Sequence, residues 1–112
     1  MMNKFSDRIG LAKELVVLSK SMLEMAQMEQ WDGLKGLEKQ REHIIAALFA
    51  DAEPGELDDD QLISMLREAH SCGDAVLALV VQERDRLGRE LRDLRNARKA
   101  ESVYAKVLDE VE

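Results

Sequence analysis

Apolar residues recur along this chain at alternating steps of three and four, the spacing that keeps them on one side of an α-helix. Leu11, Leu15, Leu18, Met22 and Met25 form the first row. They predict a helix over about residues 6–28, with Ser6 or Asp7 placed to cap its first turn through a hydroxyl or a carboxylate. Leu34, Leu37, Arg41, Ile44 and Leu48 repeat the spacing and predict a second helix over about 32–50. Asp32 is its expected N-cap and Trp31 a hydrophobic staple onto its first turns. Gly33 and Gly36 weaken that start by roughly 1 kcal/mol each relative to Ala. Asp51-Ala52-Glu53-Pro54-Gly55-Glu56 is the one plain helix breaker.

A third row runs Leu62, Leu66, Ala69, Gly73, Val76, Val80, Leu87, Leu91 and Leu94. It predicts a helix over about 58–96, opened by Asp58-Asp59-Asp60, whose carboxylates suit the positive end of the helix dipole. Smooth continuation is expected through Ser71-Cys72-Gly73. This helix is about twice as long as either of the first two, so its second half needs a packing partner or stands in solvent. Ala100, Val103, Tyr104, Val107, Leu108 and Val111 form a separate amphipathic set and predict a short fourth helix over about 98–111. Asn96 offers a left-handed residue at which the third helix can end. A helix so short is marginal alone and needs a surface to dock on. The expected fold is all-α, a single domain over residues 1–112. Three main helices form an antiparallel bundle with the short amphipathic helix added at the C-terminus.

Composition agrees with helices and removes other classes. Of 112 residues, 35% are charged and 4% aromatic, with one Pro and six Gly. A sandwich or barrel would need more aromatic and turn residues. The net charge of −7 argues against general nucleic-acid or anionic-membrane binding. No apolar run approaches the ~20 residues of a membrane span, no signal-peptide pattern opens the chain, and Cys72 cannot form an internal disulfide. A cytoplasmic protein is expected.

Candidate chemistry is sparse. His43, His70 and Cys72 lack the spacing of a metal site, and nothing supplies an oxyanion hole beside Cys72. The carboxylates stand among Lys and Arg at helix-pair spacing. No catalytic residue, metal or cofactor is called for. Three features do point to binding. From Arg84 to Lys99, seven basic residues face three acidic ones, a local +4 that leaves −11 to the rest. This is either a docking stripe or, the simpler reading, the solvated side of a long helix. Met22, Met25, Met28 and Met65 suit an adaptable apolar surface as well as core gap-filling. The terminal amphipathic segment is a cover for the core or a displaceable lid over an apolar groove.

Leu18-Ser19-Lys20-Ser21-Met22-Leu23-Glu24-Met25-Ala26-Gln27, followed by Trp31-Asp32, Leu34, Leu37-Glu38 and Arg41, resembles the FliT-type flagellar export chaperones. Leu94-Arg95-Asn96-Ala97-Arg98-Lys99-Ala100 with Tyr104 is similar to that family's junction between its third and fourth helices. The likeness spans nearly the whole chain. Its distinctive part is the Trp-Asp pair at this distance from the Leu-Ser-x-Ser segment and from Tyr104. The resemblance implies a chaperone that binds the C-terminal region of the filament-cap protein and delivers it to the export apparatus. It also implies contacts with the export ATPase complex and with the flagellar master transcription regulator. The fourth helix would be a regulatory lid, with Tyr104, Val107, Leu108 and Val111 as its apolar side. Ile45, Val76 and Val80 would be exposed positions in the client groove. The alternative is a structural coiled-coil module in which the third helix pairs with itself as a homodimer.

Overall fold

The computed structural model describes residues 4–53 and 55–111, and the secondary structure in them is helical. Helix α1 spans Lys4–Gln27, a 3-10 turn spans Trp31–Gly33, α2 spans Leu34–Phe49, and α3 spans Asp60–Val111. Packing divides the chain into two compact units, Met1–Leu79 and Val80–Glu112.

In the first unit, α1 buries Arg8, Ala12, Leu15, Ser19, Met22 and Ala26. These follow each other at steps of four and three, one helix position round from the expected row. Leu15 and Met22 belong to both rows, while Leu11, Leu18 and Met25 are half-buried along one edge. Small side chains at Ala12, Ser19 and Ala26 let neighbouring helices come close, and the larger apolar residues fill the flanks. Two apolar clusters result. One holds Met22, Ala26, Leu34 and Val76, with Trp31, Leu37 and Leu79 packed against it. The other holds Ala12, Leu48 and Leu62, with Leu57, Met65 and Leu66 around it.

Two arginines bridge these helices. Arg41 of α2 donates through Nε to Ser19 Oγ of α1 at 3.1 Å and through Nη2 to the Ala69 carbonyl of α3 at 3.3 Å. Arg8 of α1 donates through Nε to the Leu48 carbonyl at 3.3 Å and pairs with Glu56. A cation there meets orphan carbonyls in the last turn of α2 and complements its dipole. Lys20 also reaches across, to Glu68 at 2.8 Å. The hydrogen bond from Glu68, then its charge, raises the lysine's pKa above the ordinary value.

The helix ends differ from the expected caps. Helix α1 is already helical at Lys4, so Asp7 lies within it, exposed. The side chain of Ser6 lies outside the described residues. Asp32 sits inside the 3-10 turn, and the backbone before α2 has no side-chain cap. Helix α1 closes with Glu29 in the left-handed region (φ 59°). There the Glu29 N–H donates to Ala26 O at 3.1 Å and the Gln30 N–H to Met25 O at 2.9 Å. This is a Schellman closure with glutamate where glycine is usual. Phe49 ends α2 close to the expected breaker, of which Pro54 lies outside the described residues. At α3 the acidic start works as expected: Asp59 Oδ1 accepts the Leu62 N–H at 2.9 Å.

The expected stop near Asn96 is absent. Helix α3 runs through it to Val111, so the fourth helix is the end of α3. Glu29 and Asp51 are the non-glycine residues with positive φ among those described, so Asn96 does not take the left-handed turn. After Gly88 there is neither Gly nor Pro, and the Arg, Leu, Ala, Lys and Glu that dominate are good helix formers. A helix already nucleated propagates through one Asn at little cost.

Candidate functional site

A site that holds another chain needs apolar surface left over after the core has formed. In the first unit part of the leftover lies along α1 and α2, while Met28, Phe49 and, on α3, Leu77 are also exposed. Val17, Leu18, Leu37 and Ile44 line an open groove, with Lys13, Glu14, Ser21 and Gln40 at its edges. Val17 is exposed, and Leu18, Leu37 and Ile44 are half-buried. The sequence signal for this groove was the unbroken run Leu15-Val16-Val17-Leu18, which carries more apolar side chains than one buried stripe can take. Ile44-Ile45 gives the same signal on α2. Of the expected groove residues, Ile45 is half-buried on α2. Val76 is 6% exposed and belongs to the core with Met22 and Leu34. It was expected on the surface, but a row that closes a helix pair must bury its central residues.

In the second unit the exposed apolar residues are Val80, Val81, Leu87, Leu91, Leu94, Val103, Tyr104, Val107, Leu108 and Val111. Two sets stand out among them. At about 100° per residue, Leu87, Leu91 and Leu94 share one side of α3. Tyr104, Leu108 and Val111 lie about 100° round from them. Arg98 and Glu101 occupy the line between the two sets. The terminal set is therefore a stripe of its own. All four residues expected to form an apolar lid, Tyr104, Val107, Leu108 and Val111, are exposed on one amphipathic stretch.

Polar chemistry is thin around these surfaces. Cys72 is a free, half-buried thiol. His70 Nε2 stands 3.4 Å from Asp74 Oδ2 on the exposed side of α3. Among the described residues no group of three or more His, Cys, Asp or Glu is placed to hold a metal ion, and no helix is long and apolar enough to cross a membrane. Arg86 pairs with both Glu83 and Glu90. The Arg86 hydrogen bond holds the Glu83 carboxyl below its ordinary pKa, against a smaller opposing effect of burial.

Comparison with curated proteins and with solved structures gave no significant match. The family model described as flagellar protein FliT matches residues 9–106, taking in most of α1, all of α2 and α3 as far as Lys106. A match over that much of the chain, on an all-helical structure with open apolar stripes, places it: the chain belongs to the FliT family of flagellar export chaperones, a chaperone family and not an enzyme family.

Proposed function

We propose that this protein binds the C-terminal region of the filament-cap protein in the cytoplasm and delivers it to the flagellar export apparatus. The family supports a flagellar client. The observation that carries the reading further is the open terminal stripe of Tyr104, Val107, Leu108 and Val111, 50–79% exposed. Amphipathic helices are recognised by laying an apolar side into a groove at i, i+3, i+4 and i+7, and this stripe has that spacing. Ile45 on the first unit and Val80 on the second are each assigned to client contact, and Val76 backs the first unit's surface from the core.

Residues 98–111 act as the regulatory segment. Their stripe is turned away from the Leu87, Leu91 and Leu94 line, which supports a segment that docks by itself. In the closed state it covers client-binding surface, and client binding displaces it. Contacts at both ends of the first unit, Arg8 with Leu48 and Met22 with Leu34, support an antiparallel arrangement of its helices. Export ATPase components and the flagellar master regulator would engage the state in which the segment is displaced.

Deleting residues 100–112 and measuring capture of a peptide from the cap protein's C-terminus tests the reading. Capture strengthens if the segment competes with the client. Unchanged or weaker capture removes the lid. No capture by either form removes the cap protein as client.

A further inference from the structure

We propose that residues 84–99 of α3 form a docking strip for an acidic amphipathic helix of another protein. The strip lies wholly within the second unit and does not rest on the chaperone reading. Its centre is the line of Leu87, Leu91 and Leu94, which are 51%, 49% and 63% exposed. The charge around that line is one-sided. At about 100° per residue, Arg95, Lys99 and Arg92 fall on one flank, with Arg84 at its edge and Arg98 in the line itself. Glu83, Glu90 and Asp93 fall on the other flank.

The two flanks also differ in how far they are satisfied. On the acidic side, Arg86 joins Glu83 and Glu90. On the basic side, no ion pair among the described residues holds Arg92, Arg95, Arg98 or Lys99. Arg84 has only a 4.0 Å approach to its neighbour Asp85. The open charge on this strip is therefore positive, in a chain of net charge −7. A helix with a leucine stripe and carboxylates beside it would bury Leu87, Leu91 and Leu94 and pair with the basic flank, as flanking charges do in coiled coils.

Two other occupants fit less well. A second copy paired in parallel would set Arg98 against Arg98 and Arg84 against Arg84. Paired antiparallel, it would bring basic flank onto basic flank and acidic onto acidic. Nucleic acid would meet a leucine line where phosphates need donors, and residues 82–103 contain no aromatic side chain on which bases could stack.

The test uses the full chain and three labelled peptides of about 20 residues. The first carries leucine at the two seam positions of each heptad and glutamate beside them. The second replaces glutamate by lysine, and the third replaces leucine by serine. Fluorescence anisotropy at low salt should show the glutamate peptide binding at least about tenfold tighter than either twin, with the advantage shrinking as salt rises. The triple variant Arg92→Glu, Arg95→Glu, Lys99→Glu should lose about tenfold or more toward the glutamate peptide and gain toward the lysine peptide. Leu91→Ser should weaken the glutamate peptide by a similar factor, and circular dichroism checks that each variant stays helical. Failure of the glutamate peptide to bind, or equal binding of the glutamate and lysine peptides, overturns the proposal. So does binding that ignores the triple variant. Self-association abolished by Leu91→Ser that the glutamate peptide cannot compete away assigns the strip to a second copy. Tighter binding of a DNA duplex than of the glutamate peptide assigns it to nucleic acid.

Discussion

Changing Gly73 to alanine should destabilise the protein, although alanine is the better helix former. An Ala in mid-helix is worth about 1 kcal/mol over Gly. At this position, however, a Cβ would lie 2.8 Å from Arg41 Nη2 and 3.3 Å from its Cζ. The guanidinium must move, and it is the group that binds Ser19 Oγ and the Ala69 carbonyl. Losing two charge-assisted bonds at a half-buried site costs about 2 kcal/mol, part of it because the Ser19 hydroxyl is fully buried. The net expectation is a loss of about 1 kcal/mol. In an Arg41→Met background the obstacle is gone, and Gly73→Ala should instead stabilise by about 1 kcal/mol. The sign therefore reverses between backgrounds, with a coupling of about 2 kcal/mol in the double-mutant cycle. Urea unfolding read by the single tryptophan, Trp31, which packs on the Met22 cluster, measures all four corners. Stabilisation by the same amount in both backgrounds would refute the arginine bridge.

Other predictions concern stability. Leu48→Ala and Leu62→Ala empty fully buried sites in one cluster and should each cost about 2–5 kcal/mol in urea melts, whereas Leu91→Ala on the exposed strip should stay within about 0.5 kcal/mol. Asp59→Ala removes the acceptor of the Leu62 N–H and should cost about 1 kcal/mol; an equal cost for Asp58→Ala would show that the acidic run acts by charge alone. Glu29→Gly relieves a left-handed glutamate and should raise stability by up to about 1 kcal/mol, a gain that a thermal melt would show as a higher Tm.

The first two helices, the start of the third and the loops between them could be read from apolar spacing, because Leu34, Leu48, Leu62 and their neighbours carry the 3.6-residue period strongly. Helix number could not, since α3 runs through the expected stop at Asn96. Nor could the set of residues that α1 buries. Arg8 and Ser19 are polar, and a period count passes over them. They are buried because Leu48, Glu56 and Arg41 supply partners from 22 to 48 positions away in sequence. The caps misled for a related reason. Ser, Asp and Asn allow a helix to end without requiring it. Asp59 caps, while Asp32 and Asn96 do not, and the difference lies in the surrounding backbone. Of the candidate site, the terminal stripe and the basic run were legible as patterns. Legible patterns did not reveal that Val76 is core or that α1 and α2 leave a groove beside Val17. Those depend on which sides of each helix the neighbouring helices take.

The division of α3 makes a last prediction about where stability resides. From Leu62 to Leu79 the helix is anchored by buried Leu62, Ala69 and Val76. Beyond Val80, every described residue except half-buried Glu83 is exposed. Propagating a helix in water gains very little per residue, so amides there should open with about 1 kcal/mol or less. Amides of the anchored part should open only with the whole unit, at about 5 kcal/mol for a small domain. A gap of about 4 kcal/mol is nearly a thousandfold in exchange rate. Hydrogen exchange should therefore show protection falling steeply within a turn or two after Leu79, while circular dichroism still reports the full helix. Protection that stays high through Lys106 would contradict a helix held only by its own backbone. If that protection vanished on dilution, a second copy would be covering residues 80–111. If it persisted, those residues would be docked within one chain, as the closed state proposed for residues 98–111 requires. The fall after Leu79 also fixes what a partner can do. A client or acidic helix that orders this stretch must supply the packing that α3 lacks there, so binding should raise protection from Leu87 onward and leave Leu62 to Leu79 unchanged.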